Sequence, residues 1–283
     1  MPAPAVKPGP AAIMLAMSSE RTIREFTRQV AYFEQPGSHF ADSGVLDWIA
    51  GQVEVGPQDR VLDVAGGTGQ LGRHLGRGAR LTVIADLTPA MLARGVEAVR
   101  AEGRRDVVFV EADAAALPFS EAQFEVVVSR FALHHMPDVP AALREMRRVC
   151  TPGGTVTIID IIADPGPIGE RLDELERLRD PSHTAAPQEA ELRSLLDEAG
   201  LQPAGAEPAG TAVRPVRAAV RDERLLAEPW LQRAQPAPGA HRAVLDALHA
   251  EAAGGAATGL RGALIEGALT ITHRYLLVHC KRT

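Results

Sequence analysis

The stretch VLDVAGGTGQLG, Val61 to Gly72, carries an aspartate near the end of an apolar run and then places four glycines, Gly66, Gly67, Gly69 and Gly72, within seven residues. Gly67, Gly69 and Gly72 satisfy G-x-G-x-x-G, the spacing that lets a backbone approach a pyrophosphate at a helix N-terminus. A pyrophosphate needs positive potential there, but Asp63 stands just before the loop with a negative charge. That charge repels phosphate and attracts an ammonium group. Asp86 closes the next apolar run, where a carboxylate suits the two hydroxyls of a ribose. A third run ends in Glu111-Ala112-Asp113, and Asp113 can accept a hydrogen bond from an adenine amine. Acids for an ammonium, a ribose and an adenine amine together suit S-adenosylmethionine, which carries all three groups and no phosphate.

The elements that must position these acids follow from the hydrophobic pattern. RVLDV, LTVIAD, DVVFVEAD, FEVVVSRF and TVTIIDII are short, nearly continuous apolar runs separated by helix-length segments. Such runs form a parallel sheet covered on both faces, an α/β, doubly wound fold whose ligands lie beyond the carboxyl ends of the strands. Ahead of them, Ile23, Phe26, Val30 and Phe33 recur at helical spacing after a Ser18 or Ser19 cap, and a second helix is expected over 41–52. DVPAALREMRRVC puts Leu143, Met146, Val149 and Cys150 on one stripe, which makes Cys150 a core residue. Further helices are expected over 168–178 and 187–199. An Ala-, Pro- and Gly-rich stretch from Gln202 to Gly259 holds helical patterns over 216–232 and 241–252. ALTITHRYLLVHCKR closes the chain as a strand in a hairpin.

A chain of 283 residues with a formal charge of −6 has no net attraction for nucleic acid or for anionic lipid, so the expected partner is a small molecule. Two cysteines supply neither a disulfide framework nor a four-ligand zinc site, and the expected compartment is the cytoplasm. The apolar segment AAIMLAM is too short to span a bilayer. Residues 1–17 are therefore expected to form a mobile arm, 18–55 a helical cap, and 56–283 the main domain with a helical lid inserted at about 215–258. A monomer or a homodimer is expected.

VLDVAGGTGQL, ADLTPAML, VEADAAALPFSEAQFEVVVSRFALHHMPD and LREMRRVCTPGG resemble, in order and spacing, the successive motifs of the class I S-adenosylmethionine-dependent methyltransferases, most of all the ubiquinone/menaquinone-biosynthesis C-methyltransferase type. The resemblance runs from Arg60 to Asp160, and LERLRDPSH, Leu175 to His183, is similar to a segment of many bacterial members. It implies a mostly parallel seven-stranded sheet with an antiparallel last strand and a helical lid. Ala65 stands where D-x-G-x-G-x-G often has its first glycine; alanine is a common variant in this branch, so cofactor binding is expected to survive. The cofactor-binding residues implied are Asp63, Ala65, Gly66, Gly67, Gly69, Asp86, Leu87, Asp113 and Ala114, with Ser129 and Arg130 near the methyl-bearing sulfur.

His134, His135 and His183 are the candidate catalytic groups. Neighbouring side chains on a helix point about 100° apart, so at most one of His134 and His135 is expected to face the site. No further ligands stand at metal-binding spacing around them. Tyr32, Phe33, Phe40, His183 and Trp230 are the candidate acceptor-site residues, with Phe26 and Trp48 adding aromatic surface ahead of the sheet. The expected function is methyl transfer to a small organic acceptor, a specialised metabolite, by in-line displacement. The rivals are a quinone-biosynthesis C-methyltransferase, a non-catalytic S-adenosylmethionine-binding protein and an NAD(P)-dependent oxidoreductase, the last disfavoured by Asp63.

Overall fold

A computed structural model describes residues 10–35, 43–203 and 218–282. In chain order its elements are α1 (Pro10–Phe33), α2 (Ser43–Ala50), β1 (Arg60–Val64), α3 (Gln70–Leu75), β2 (Leu81–Asp86), α4 (Pro89–Ala101), β3 (Val107–Glu111), β4 (Phe124–Arg130) and α5 (Val139–Val149). There follow β5 (Cys150–Ile161), α6 (Pro167–Arg179), α7 (Glu189–Glu198), β6 (Leu201–Pro203), β7 (Ala219–Leu226), α8 (Ala227–Ala234), α9 (Pro238–Ala252), β8 (Ala263–Ile265) and β9 (Ala268–Arg282).

The strands form one sheet in the order β3-β2-β1-β4-β5-β9-β6, with β7 and β8 also paired to β9. β1 to β5 are mutually parallel. β9 runs antiparallel to β5, from Thr155 opposite Lys281 to Ile161 opposite Tyr275. The seven-stranded path is therefore the expected one, extended by two strands that continue along β9. After β3 the chain crosses back to the other side of β1, so the strand order reverses between β1 and β4 and opens a crevice at their carboxyl ends.

Alternation along the strands divides the core between the two faces. Leu62, Val64, Val127 and Ile158 pack with Leu143, Met146 and Val149 of α5 and with Leu192 and Leu196 of α7. Val61, Val126, Val128 and Ile159 pack the opposite way, against Ile49 of α2 and Leu71 and Leu75 of α3. α5 begins where the Asp138 carboxylate accepts from the Ala141 N–H, with Pro140 in the first turn, and it ends at the buried Cys150 that opens β5. A third apolar cluster joins Leu172 and Leu175 of α6, Trp230 and Leu231 of α8, Val244 and Leu248 of α9, and Ile271 and Tyr275 of β9. This cluster takes in Ile161 and Ala163 at the end of β5.

Two boundaries differ from expectation. α1 starts at Pro10 rather than at a Ser18–Ser19 cap, because proline suits a first helical turn and the following Ala, Met and Leu residues favour helix. Residues 219–226 form a strand, not a helix. Their burial alternates strictly, with Ala219, Arg221, Glu223 and Leu225 half-buried and the residues between them exposed. The period of two pairs them with Leu277 back to Thr270 of β9, and this pairing replaces the expected helix. β8 and β9 form the expected hairpin, with Glu266 and Gly267 both at positive φ, the conformation of a type I′ turn. Among the described residues no helix is long and apolar enough to cross a membrane.

Candidate functional site

The loop after β1 is shaped around Asp63. Its Oδ2 accepts from the Gly72 N–H at 2.8 Å, while Oδ1 is buried with no hydrogen-bond partner among the described residues. A Cβ on Gly66 would lie 2.6 Å from the Asp63 carboxyl carbon, so only glycine leaves the carboxylate room. Gly67 and Gly69 take positive φ, and so does Ala65, at φ 53°. Burial pushes the Asp63 carboxyl up to about 7, against the opposing pull of the Gly72 N–H and the nearby Arg130. An orphaned carboxylate oxygen, held in place and costly to leave unpaired, fits a ligand ammonium.

At the end of β2, Asp86 accepts from the Gly67 N–H through Oδ2 and from the Thr88 N–H through Oδ1, both at 2.8 Å. The two bonds cross-brace the glycine loop and the start of α4. Burial raises its pKa against those two backbone donors. Asp113 is exposed at the rim, with one oxygen accepting from the Ala115 N–H.

A cavity of about 230 Å³ joins these acids to a second set of groups. Asp63, Ala65, Gly66, Gly67, Asp86, Leu87, Asp113, Ala114 and Arg130 line it, together with Phe26, Gln29 and Phe33 of α1. Beyond Arg130 the lining continues through His134, His135, Glu176, Arg179, Asp180, Trp230, Arg233, His273 and Tyr275. The last two turns of α1 are tied down over this cavity by two sets of contacts. Glu34, just after its last turn, accepts from Thr68 Oγ1 and Arg73 Nη2, at 2.5 and 2.7 Å, and Gln70 bonds the Phe33 carbonyl. Further back, Gln29 donates to Asp180 at 2.8 Å and Arg28 to the carbonyl of Ala234.

His134 and His135 both line the cavity, contrary to the expectation that at most one does. They sit on a short 3-10 turn, Leu133–His135, rather than on an α-helix, and their ring centroids are 4.2 Å apart. His134 Nδ1 meets the buried Asp160 carboxylate at 2.5 Å; burial opposes charge on the ring, but Asp160 outweighs it and the pKa lies above its ordinary value. His135 Nδ1 lies 3.0 Å from Ser182 Oγ, which donates to Asp180 at 2.6 Å. Burial and the neighbouring His134 hold His135 well below the ordinary value. Asp180 lies below the usual carboxylate range: burial would raise it, but His135 and Arg179 outweigh that.

Other candidates fall elsewhere. His183 is buried against Asp173 of α6 at 2.7 Å and is not among the lining residues, so neither its catalytic nor its acceptor-site assignment finds geometric support. Ser129 is buried and does not line the cavity either, because successive strand residues point to opposite faces and Arg130 takes the inward one. Tyr32 is on α1 but not among the lining residues, and Phe40 lies outside the described residues. Trp48 packs in α2, with Arg221 5.7 Å over its ring. Phe33 and Trp230 stand in the lining as expected, the Arg179 guanidinium lying 4.8 Å over the Trp230 ring.

Sequence reasoning missed Gln29, Glu176, Arg179, Asp180, Arg233, His273 and Tyr275. A signal was present. Leu172, Glu176 and Arg179 recur at helical spacing, and Ile271, His273 and Tyr275 alternate on one face of β9, so charged side chains share the buried faces of both elements. Glu176 binds Arg179 Nε at 2.7 Å and His273 Nε2 at 3.2 Å, and these partners hold it well below its ordinary range although burial works the other way. Among the described residues, no group of three His, Cys, Asp or Glu side chains is placed to hold a metal ion.

The family described as "Methyltransferase domain" matches residues 61–154. The chain is 33% identical over 191 residues to 27-O-demethylrifamycin SV methyltransferase of Amycolatopsis mediterranei, covering 65% of this chain and 70% of that protein. It is 37% identical over 132 residues to the ubiquinone/menaquinone biosynthesis C-methyltransferase UbiE of Paracoccus denitrificans, 44% of this chain and 50% of that one. Other curated relatives are matched over 38% to 57% of their own length. The crystal structure of YcgJ from Bacillus subtilis superposes over 85% of this chain and 99% of its own with a TM-score of 0.73 at 22% identity, which shows the shared fold. With a fitting ammonium site at Asp63 and a match to 70% of the Amycolatopsis mediterranei methyltransferase, the chain belongs to the class I S-adenosylmethionine-dependent methyltransferases of the UbiE-like type.

Proposed function

We propose that this protein transfers a methyl group from S-adenosylmethionine to a small organic acceptor, a specialised metabolite, held in the far half of the cavity. One observation carries the reading: the strand-end acids and the buried groups of α6, α8 and β9 line the same cavity. When bound, the cofactor supplies a methyl group already activated by a positive sulfur that leaves as a neutral thioether. The chain's own work is then mainly positioning and exclusion of water. Asp63 would hold the ammonium, Asp86 the ribose hydroxyls and Asp113 the adenine amine. Phe26 and Phe33 of α1 close the cavity from above, and Trp230 and Tyr275 supply apolar walls for the acceptor.

The relative from Amycolatopsis mediterranei, matched over the greater share of its length, supports a specialised-metabolite acceptor; the UbiE match supports a quinone precursor as the second reading. Calorimetry with S-adenosylmethionine and with NAD(P), followed by mass spectrometry of products from polyphenols, hydroxylated polyketides and prenylated quinols, tests both. Methylated polyketide or polyphenol supports the first reading, and methylation of quinols alone supports the second. NAD(P) binding without S-adenosylmethionine binding would sink both.

A further inference from the structure

The segment Leu175 to His183 stands apart from the strand-end acids, and it links Ser182 and Asp180 by hydrogen bonds to a cavity-lining histidine. We propose that His135 accepts a proton from the acceptor, that Ser182 and Asp180 position it and balance the charge it gains, and that the acceptor is a hydroxyl or phenol methylated on oxygen. The proposal rests on the small-acceptor reading above and adds to it the reacting atom.

Hydrogen-bond accounting fixes the direction of the relay. Asp180 also accepts from the Ser182 N–H at 2.9 Å and from Gln29 Nε2 at 2.8 Å, as suits an ionised carboxylate. An ionised carboxylate only accepts, so the single hydroxyl proton of Ser182 goes to Asp180. The hydroxyl oxygen then accepts from His135 Nδ1–H. That bond sets the tautomer and leaves a lone pair on Nε2, which has no hydrogen-bond partner among the described residues. Phe26 of α1 meets the ring edge-on, with centroids 4.9 Å apart, and holds it from above.

The charged and titratable groups around the ring divide in sign. His134 on the same turn and His183 behind it disfavour a proton on His135, while Asp180 favours one. Asp160 at the end of β5 acts on His134, and Glu176, Arg179, Arg233 and His273 line the same cavity from α6, α8 and β9. Burial, with His134 and His183, outweighs Asp180 and holds His135 well below its ordinary value. His134 is the opposite case, since its bond to Asp160 retains the ring proton. His183 is spent on Asp173.

The step balances. The acceptor's O–H bond breaks and its proton moves to His135 Nε2. An oxygen lone pair forms the new C–O bond to the methyl group of S-adenosylmethionine, and the C–S bonding pair stays on sulfur. The imidazolium, stabilised through Ser182 by Asp180, returns its proton to water after product leaves. A neutral amine attacks through its own lone pair and needs no such group at the moment of transfer.

The test begins with the full chain labelled with 15N-histidine. At pH 7 the His135 ring should be neutral with its proton on Nδ1. Ser182→Ala should shift it toward the Nε2–H form, and Ser182→Thr should restore it. An Nε2–H tautomer in the unmodified chain overturns the proposal. In turnover with a panel of phenols, alcohols, amines and quinols, His135→Gln should lower kcat about 100-fold or more and remove the acidic limb of the pH profile, with S-adenosylmethionine affinity within a few-fold. Ser182→Ala should lower kcat and move that limb to lower pH, an effect that loosened packing alone would not produce. Methyl found on nitrogen or carbon overturns the oxygen assignment and leaves the small-acceptor reading standing. No transfer to any acceptor, with cofactor bound, overturns both.

Discussion

At the scale of single residues, Asp63 joins binding to pH. Its carboxyl, pushed to about 7 by burial, must be ionised to hold an ammonium, so a proton competes with the cofactor as pH falls through 7. Calorimetric affinity for S-adenosylmethionine should drop from pH 7 to pH 5, approaching tenfold per unit, and Asp63→Asn should bind more weakly at pH 7 but with a flatter profile. The sign for stability is opposite. A carboxyl whose folded pKa is raised stabilises the fold most at low pH and loses that contribution as pH rises from the ordinary value of 3.8 through 7. Cofactor-free Asp63→Asn should therefore melt at or above the parent at pH 8; a large drop there would mean that the carboxylate is structural. Ala65 offers a second test, since its left-handed backbone costs about 1 kcal/mol that glycine does not incur. Ala65→Gly should equal or exceed the parent in thermal stability and keep cofactor affinity within a few-fold. Asp63, Gly67 and Asp86 were legible because the charge of a loop can be read directly. The orphaned Oδ1 and the positive φ of Ala65 were not, because both depend on the path of the backbone.

Among the elements, α1 joins the glycine loop to the far half of the cavity. Glu34 holds Thr68 and Arg73 beside the glycine loop, and Gln29 holds Asp180 at the other set of groups. Charge-assisted bonds of this kind are worth roughly 1.5–3 kcal/mol each when partly buried. Glu34→Ala should therefore speed hydrogen exchange along α1 and raise the KM for S-adenosylmethionine several-fold, with exchange in β1 and β4 unchanged. If exchange in α1 did not change, the clasp would be incidental. The sequence pattern predicted β1 and β2 to the residue, because buried parallel strands are continuous apolar runs bounded by turns. It failed at β7, where Val220, Leu225 and Leu226 show no period-two apolar alternation and the deciding partner, β9, lies some fifty residues further on. It failed also at His134 and His135, because a 3-10 turn of three residues leaves no periodic signature that separates it from an α-helical turn.

For the whole molecule, cofactor and acceptor fall to different layers on the proposed reading. The core formed by β1 to β5 with α3 to α5 resembles that of its relatives over residues 61–154, whereas the third apolar cluster is built almost wholly from elements after β5. On the proposed reading, discrimination among acceptors falls to α6, α8 and β9, which can vary without disturbing the glycine loop. Trp230 is the sharpest probe, since its ring lines the cavity while it packs in that cluster and under Arg179. Trp230→Ala would remove about 3–5 kcal/mol of packing and confuse folding with function. Trp230→Phe keeps most of the apolar volume while removing the indole N–H and part of the Arg179 stacking surface. It should raise the KM for the acceptor several-fold and change the ranking of an acceptor panel, with the S-adenosylmethionine dissociation constant within about twofold of the parent. Steady-state kinetics beside calorimetry separate the two effects. An altered cofactor constant with unchanged acceptor ranking would move the specificity boundary back into the sheet, because a side chain beyond Arg130 would then be acting on the cofactor half of the cavity.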